Sequence, residues 1–251
     1  MYLHKILPPG VVCPIMLDTP SFPGCNFMSG TGFFVQFSDN NHVFFITARH
    51  CVVGNDNLPY GFLNVPFKSD GKTKQPIILK NVLTTQDKDG TSYEDVLIFV
   101  IDDAHEEQMK ELRERRLRLV HRDCAETILC ETLGSPTKLT VLGFPGTDKK
   151  GIDYDTQEAF AETRSFRGEL AKRKGEEFAL EKIDWKDNRG DLSGFSGSPV
   201  VCLYSTPVGI QPIPVGVLIT GSNNIARFLS INIATDTIAS YLHDLQNSHK
   251  K

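Results

Sequence analysis

The chain has 251 residues, a formal net charge of −4 at pH 7, 40% hydrophobic residues and 23% charged residues. This balance suits a folded globular protein; the acidic charge argues against nucleic-acid binding, and no apolar run is long enough to span a membrane. Pro8, Pro9 and Gly10 interrupt the only early apolar stretch before a signal-peptide core can form, so the expected location is the cytoplasm.

Residues 1–24 are proline-rich and read as an irregular N-terminal arm. Short β-prone segments follow at Gly32–Phe37, His42–Thr47, Gly61–Phe67, Pro76–Leu83 and Val96–Ile101, which read as a first barrel over 25–103. Ala104–Leu119 breaks this pattern. It is rich in Glu, Gln, Lys, Arg and Leu, with Met109, Leu112 and Leu117 on one apolar face, and predicts a charged linker helix within 104–122.

A second barrel is expected over 123–235, from Leu139–Gly143, Glu158–Arg167, Glu177–Trp185, Ser198–Tyr204, Val215–Thr220 and Phe228–Ile233. Residues 236–251 read as a closing helix and a tail, with Ile238, Tyr241, Leu242 and Leu245 at helical spacing and Thr235 or Asp236 as its cap. The six cysteines (Cys13, Cys25, Cys51, Cys124, Cys130 and Cys202) form no C-x-x-C pair. A zinc site is therefore not expected, and free thiols in a reducing compartment are favoured.

Gly194-Phe195-Ser196-Gly197-Ser198-Pro199-Val200-Val201 sets a serine between the glycines at 194 and 197, inside a short apolar turn just before a β-branched run. A serine hydroxyl becomes a good nucleophile when a histidine takes its proton and backbone N–H groups hold the oxyanion. Thr47-Ala48-Arg49-His50-Cys51 supplies a histidine at the end of a strand, and Tyr93-Glu94-Asp95-Val96-Leu97 supplies an acid at the head of another. The chain order is His50, Asp95, Ser196, which excludes the Ser–acid–His order of the α/β-hydrolases. Each residue alone has a plainer reading as a turn or capped residue. The competing serines, Ser193 and Ser198, read as turn residues.

These segments resemble the trypsin-like, chymotrypsin-fold serine proteases. Gly30-Thr31-Gly32-Phe33-Phe34-Val35 and Val141-Leu142-Gly143-Phe144-Pro145-Gly146 are similar to the compact bacterial branch that includes the HtrA proteases. The resemblance implies an all-β fold of two six-stranded antiparallel β-barrels, with the linker and C-terminal helices as additions. It implies a triad of His50, Asp95 and Ser196, an oxyanion hole from the N–H groups of Gly194 and Ser196, and no metal or organic cofactor. It also places Gly190 and Asp191 at the substrate pocket, with Gly221 at its entrance; an inward Asp191 would favour Arg or Lys at the cleavage site.

The chain departs from the animal enzymes at Phe195, where they carry an aspartate that pairs with a freed N-terminus. Activation by that route is not expected. Cys51 likewise has no cysteine on the preceding strand to pair with. The implied activity is peptide-bond hydrolysis on a protein or peptide substrate, held in check by a regulatory protein partner or a loop movement. A catalytically silent binding module and an esterase on the same triad are the alternatives.

Overall fold

Central strands with apolar residues on both sides organise the molecule. The chain forms β1 (Val12–Asp18), β2 (Asn26–Phe37), β3 (Val43–Thr47), β4 (Phe62–Asn64), β5 (Pro66–Lys68), β6 (Lys74–Pro76), β7 (Leu79–Gln86), β8 (Tyr93–Ile101), α1 (Glu106–Glu114), β9 (Leu117–Leu119) and α2 (Arg122–Thr132). It continues with β10 (Lys138–Gly143), β11 (Ile152–Asp153), β12 (Glu158–Ala159), β13 (Arg164–Lys174), β14 (Glu177–Glu181), β15 (Pro199–Thr206), β16 (Gly209–Ser222), β17 (Ile225–Ser230) and α3 (Ile231–Ser248). This computed structural model describes residues 7, 10–18, 26–37, 41–54, 62–64, 66–68, 74–76, 79–86, 93–101, 106–145, 152–153, 158–159, 163–185, 192–207, 209–222 and 224–248.

Six strands run antiparallel in the order β4-β1-β2-β3-β8-β7, with β9 added parallel to β2. The second sheet closes as the six-stranded barrel β10-β13-β14-β17-β16-β15. The all-β architecture of two six-stranded antiparallel sheets is the one expected; among the described residues only the second closes into a barrel.

In β3, Val43 and Phe45 point into one core with Phe34, Leu97 and Phe99, while Phe44 and Ile46 join another with Phe33, Ile98 and Val217. That second cluster is shared between the two sheets and α3, through Ile231, Ala234, Ile238 and Leu242. The interior of the closed barrel is a third cluster, including Phe166, Phe178, Phe195 and Phe228. Period-two alternation explains why β3 reads as one unbroken apolar run: both of its faces are buried.

Some elements differ from their sequence reading. Within the stretch read as an arm, Val12–Asp18 forms β1; its Pro14 is tolerated because β4 pairs only with Met16–Asp18. The linker helix stops at Glu114, and Leu117 and Leu119 face inward from a strand with Arg118 exposed between them. α2 was not anticipated; its Ala125, Ile128, Leu129 and Thr132 are buried at helical spacing. α3 begins at Ile231, not 236, because Ser230 Oγ accepts the Asn232 N–H at 3.2 Å and caps the helix. Asp236 pairs instead with Arg122. No described helix is long and apolar enough to cross a membrane.

A Cβ on Gly32 would lie 2.1 Å from Cζ of the fully buried Phe45. Gly32→Ala is therefore expected to destabilise the fold by about 1–3 kcal/mol, the usual cost of overpacking a core. Urea unfolding checks this; an unchanged midpoint would contradict it.

Candidate active site

His50 lies on a single 3-10 turn, Arg49–Cys51, directly after β3. Antiparallel pairing of Thr47 with Leu97, continued past the end of β3, brings Asp95 of β8 beside that turn. The Asp95 carboxylate is engaged twice: Oδ1 accepts the His50 backbone N–H at 2.9 Å, and Oδ2 lies 2.6 Å from His50 Nδ1. Nδ1 is thereby held to the acid. The hydrogen bond to Asp95, then one to the Cys51 side chain, push the His50 pKa up to about 10, with burial opposing them. The histidine side chain keeps 47% of its surface exposed, open to a ligand.

Two consecutive turns that share Phe195 build the Ser196 segment. Phe195 N–H donates to Leu192 O at 3.1 Å, and Ser198 N–H donates to Phe195 O at 2.9 Å. Each turn needs a residue with positive φ at its third position, and these are Gly194 (φ 86°) and Gly197 (φ 85°). Gly197 N–H donates to Leu218 O at 2.7 Å. So three of the five amides from Gly194 to Ser198 are bonded within the protein. Among the described residues, the two without an acceptor are those of Gly194 and Ser196, the pair expected to form the oxyanion hole. The Ser196 hydroxyl donates to Ile219 O at 3.2 Å, so in this conformation its proton is turned to β16 and not to His50.

Ser198 is fully buried, and Ser193 is exposed at the turn. Of the three serines, Ser196 is the one that is half-buried.

Phe195 occupies the position where the sequence departs from the animal enzymes. Its side chain is fully buried, edge-on to Phe166 and Trp185 with ring centroids 5.2 Å away in each case. The turn is thus anchored from beneath by an aromatic cluster. Thr31 holds it from the side: its N–H donates to Ser196 O at 2.8 Å and its hydroxyl donates to Gly194 O at 2.7 Å. Thr31 belongs to the Gly30–Val35 motif, which gives no sign of these bonds, and nothing in the sequence around Phe166 and Trp185 marks them as the anchor of Phe195.

Gly221 pairs with Ala226, and a Cβ on it would lie 2.4 Å from Leu192 Cδ1, so Leu192 packs directly over this glycine. Gly190 and Asp191, the remaining expected pocket residues, lie outside the described residues. Cys51 is buried, with its Sγ 3.5 Å from Ser196 O. Among the described residues, no group of three His, Cys, Asp or Glu side chains could hold a metal ion.

No protein-family model matches the chain, and no curated protein matches it in sequence. Solved structures do match. A thermostable serine protease from an extremophilic microorganism is 12% identical, with a TM-score of 0.56 over 90% of this chain and 94% of that one. Human heparin binding protein is 14% identical, with a TM-score of 0.55 over 93% and 91% of the two chains. The chain has the fold of the chymotrypsin-like serine proteases.

A Cβ on Gly30 would lie 3.2 Å from Cys51 Cβ and 2.4 Å from its Sγ. A small backbone shift brings such a pair to the roughly 3.8 Å typical of a disulfide. Gly30→Cys is expected to cross-link to Cys51 on oxidation, with two fewer titratable thiols than the reduced variant after denaturation. An unchanged thiol count would contradict this geometry.

Proposed function

We propose that the chain is a serine endopeptidase acting through His50, Asp95 and Ser196. One observation carries this reading: the two amides of the turn with no acceptor among the described residues are those of Gly194 and of the half-buried Ser196, on the same fold that presents a histidine doubly bound to an aspartate. Ser196 Oγ rotates from Ile219 O, attacks the scissile carbonyl carbon and gives its proton to His50 Nε2. The negative oxygen then takes hydrogen bonds from Gly194 N–H and Ser196 N–H. His50 passes the proton to the leaving amine as the C–N bond breaks, and a water repeats the sequence on the acyl-enzyme. Asp95 fixes the histidine tautomer and balances the imidazolium charge.

Substrate is a protein or peptide. A preference for Arg or Lys rests on the charge of Asp191, and cleavage of a peptide library after other residues alone would remove it. Phe195 carries no charge to pair with a new N-terminus, which favours a site formed in the intact chain. The second reading, a silent binding module, is favoured by the hydroxyl's bond to Ile219.

A fluorophosphonate probe separates the two. Labelling of the wild type, lost in Ser196→Ala, is the expected result; an unlabelled wild type favours the binding module. The pH profile adds a second check. The base must be neutral to accept a proton, and His50's pKa is raised from 6.5 towards about 10. Reactivity should therefore keep rising with pH well above 6.5, and Asp95→Ala should move that limb down towards it. The stabilising His50–Asp95 pairing has the opposite pH dependence. It is fully present below 6.5 and is lost as pH rises through about 10.

A further inference from the structure

Thr31 lies on β2 with no exposed surface, and all of its polar groups are hydrogen-bonded, its N–H and hydroxyl across the seam between the sheets and its carbonyl within its own sheet. Its N–H donates to Ser196 O at 2.8 Å. Its hydroxyl donates to Gly194 O at 2.7 Å and accepts the Phe144 N–H at 3.0 Å. Its carbonyl accepts the Thr47 hydroxyl at 2.7 Å. A hydroxyl has one proton to give, and here it goes to the turn that carries Ser196.

Thr47 is the last residue of β3 and leads into the turn that carries His50. One residue therefore touches the base-bearing segment on one side, and on the other the nucleophile turn and the residue after β10. We infer that the Thr31 hydroxyl is a positioning residue: it sets the Ser196 turn against the His50 strand and so fixes the separation of nucleophile and base. The inference rests on the serine-hydrolase reading of Ser196. Without the hydroxyl, the Gly194 carbonyl and the Phe144 N–H are left unpaired in a dry interior, which the turn can relieve only by moving. A displacement of about 1 Å at such a site lowers the rate by about 100-fold.

The test compares Thr31→Val, Thr31→Ala and Thr31→Ser with wild type, using phosphonylation by a fluorophosphonate. Thr31→Val keeps the side-chain shape, Thr31→Ala guards against a variant that fails to fold, and Thr31→Ser keeps the hydroxyl. The expected result is a fall of about 10- to 100-fold in the maximal labelling rate for the Val and Ala variants. Probe affinity and the fraction of protein labelled at saturation should be unchanged, and Thr31→Ser should react close to the wild-type rate. A merely structural role would lower the labelled fraction and leave the rate alone. Val and Ala variants at the wild-type rate, or a Ser variant as slow as Val, would overturn the inference.

An unlabelled wild type would instead count against the serine-hydrolase reading. The positioning claim is then decided by crystal structures of the Val or Ala variant. A turn from Gly194 to Ser198 displaced from β2 supports it; an unmoved turn overturns it.

Discussion

The backbone of the Ser196 turn lies directly on the backbone of the first sheet, and the rest of the site depends on that contact. A Cβ on Gly197 would sit 2.0 Å from Thr31 O, 2.4 Å from Thr47 Oγ1 and 2.9 Å from Ala48 N. No side chain fits, so glycine is required both by this closeness and by the positive φ. The approach is what lets Thr31 N–H reach Ser196 O and what brings a turn of the second barrel within reach of the His50 segment of the first. His50 and Asp95 belong to the first sheet and its adjoining turn, and Ser196 to a turn of the second. Their relative placement is therefore a property of this seam, not of either sheet alone.

The turn is held from below by apolar burial. Fully burying a phenylalanine contributes about 1.5–3 kcal/mol, and each edge-on aromatic pair adds about 0.5–1.5 kcal/mol. Phe195 has two such pairs, with Phe166 and Trp185. A buried ion pair in the same place would lose most of its attraction to desolvation and would depend on a charged partner. The aromatic anchor depends on neither pH nor a cleaved N-terminus. It restrains the flank of the Gly194 and Ser196 amides.

Much of this was legible in the sequence because the chemistry is local. The segments around His50, Asp95 and Ser196 each carry their own signature, and the alternating apolar runs give most strands to within a few residues. The remainder depends on contacts between distant positions. Thr31 meets Phe144 and Gly194, residues 113 and 163 positions away, and nothing in its own segment announces this. β1 was hidden by Pro14, whose missing N–H matters only where a neighbouring strand covers it. α2 was hidden because a short run with Ile128 and Thr132 also fits a strand, and helix is favoured only once Ala125 and Leu129 have a core to enter. The start of α3 turned on one side-chain bond from Ser230.

The most direct measurement is a crystal structure of the protein treated with a peptidyl trifluoromethyl ketone, which adds to a serine as a tetrahedral adduct. The account predicts a bond from Ser196 Oγ to the ketone carbon, with its oxyanion about 2.7–3.1 Å from both Gly194 N and Ser196 N, and His50 still bound to Asp95. An adduct at another residue, or an oxyanion on Ser196 turned away from those two amides, would contradict it.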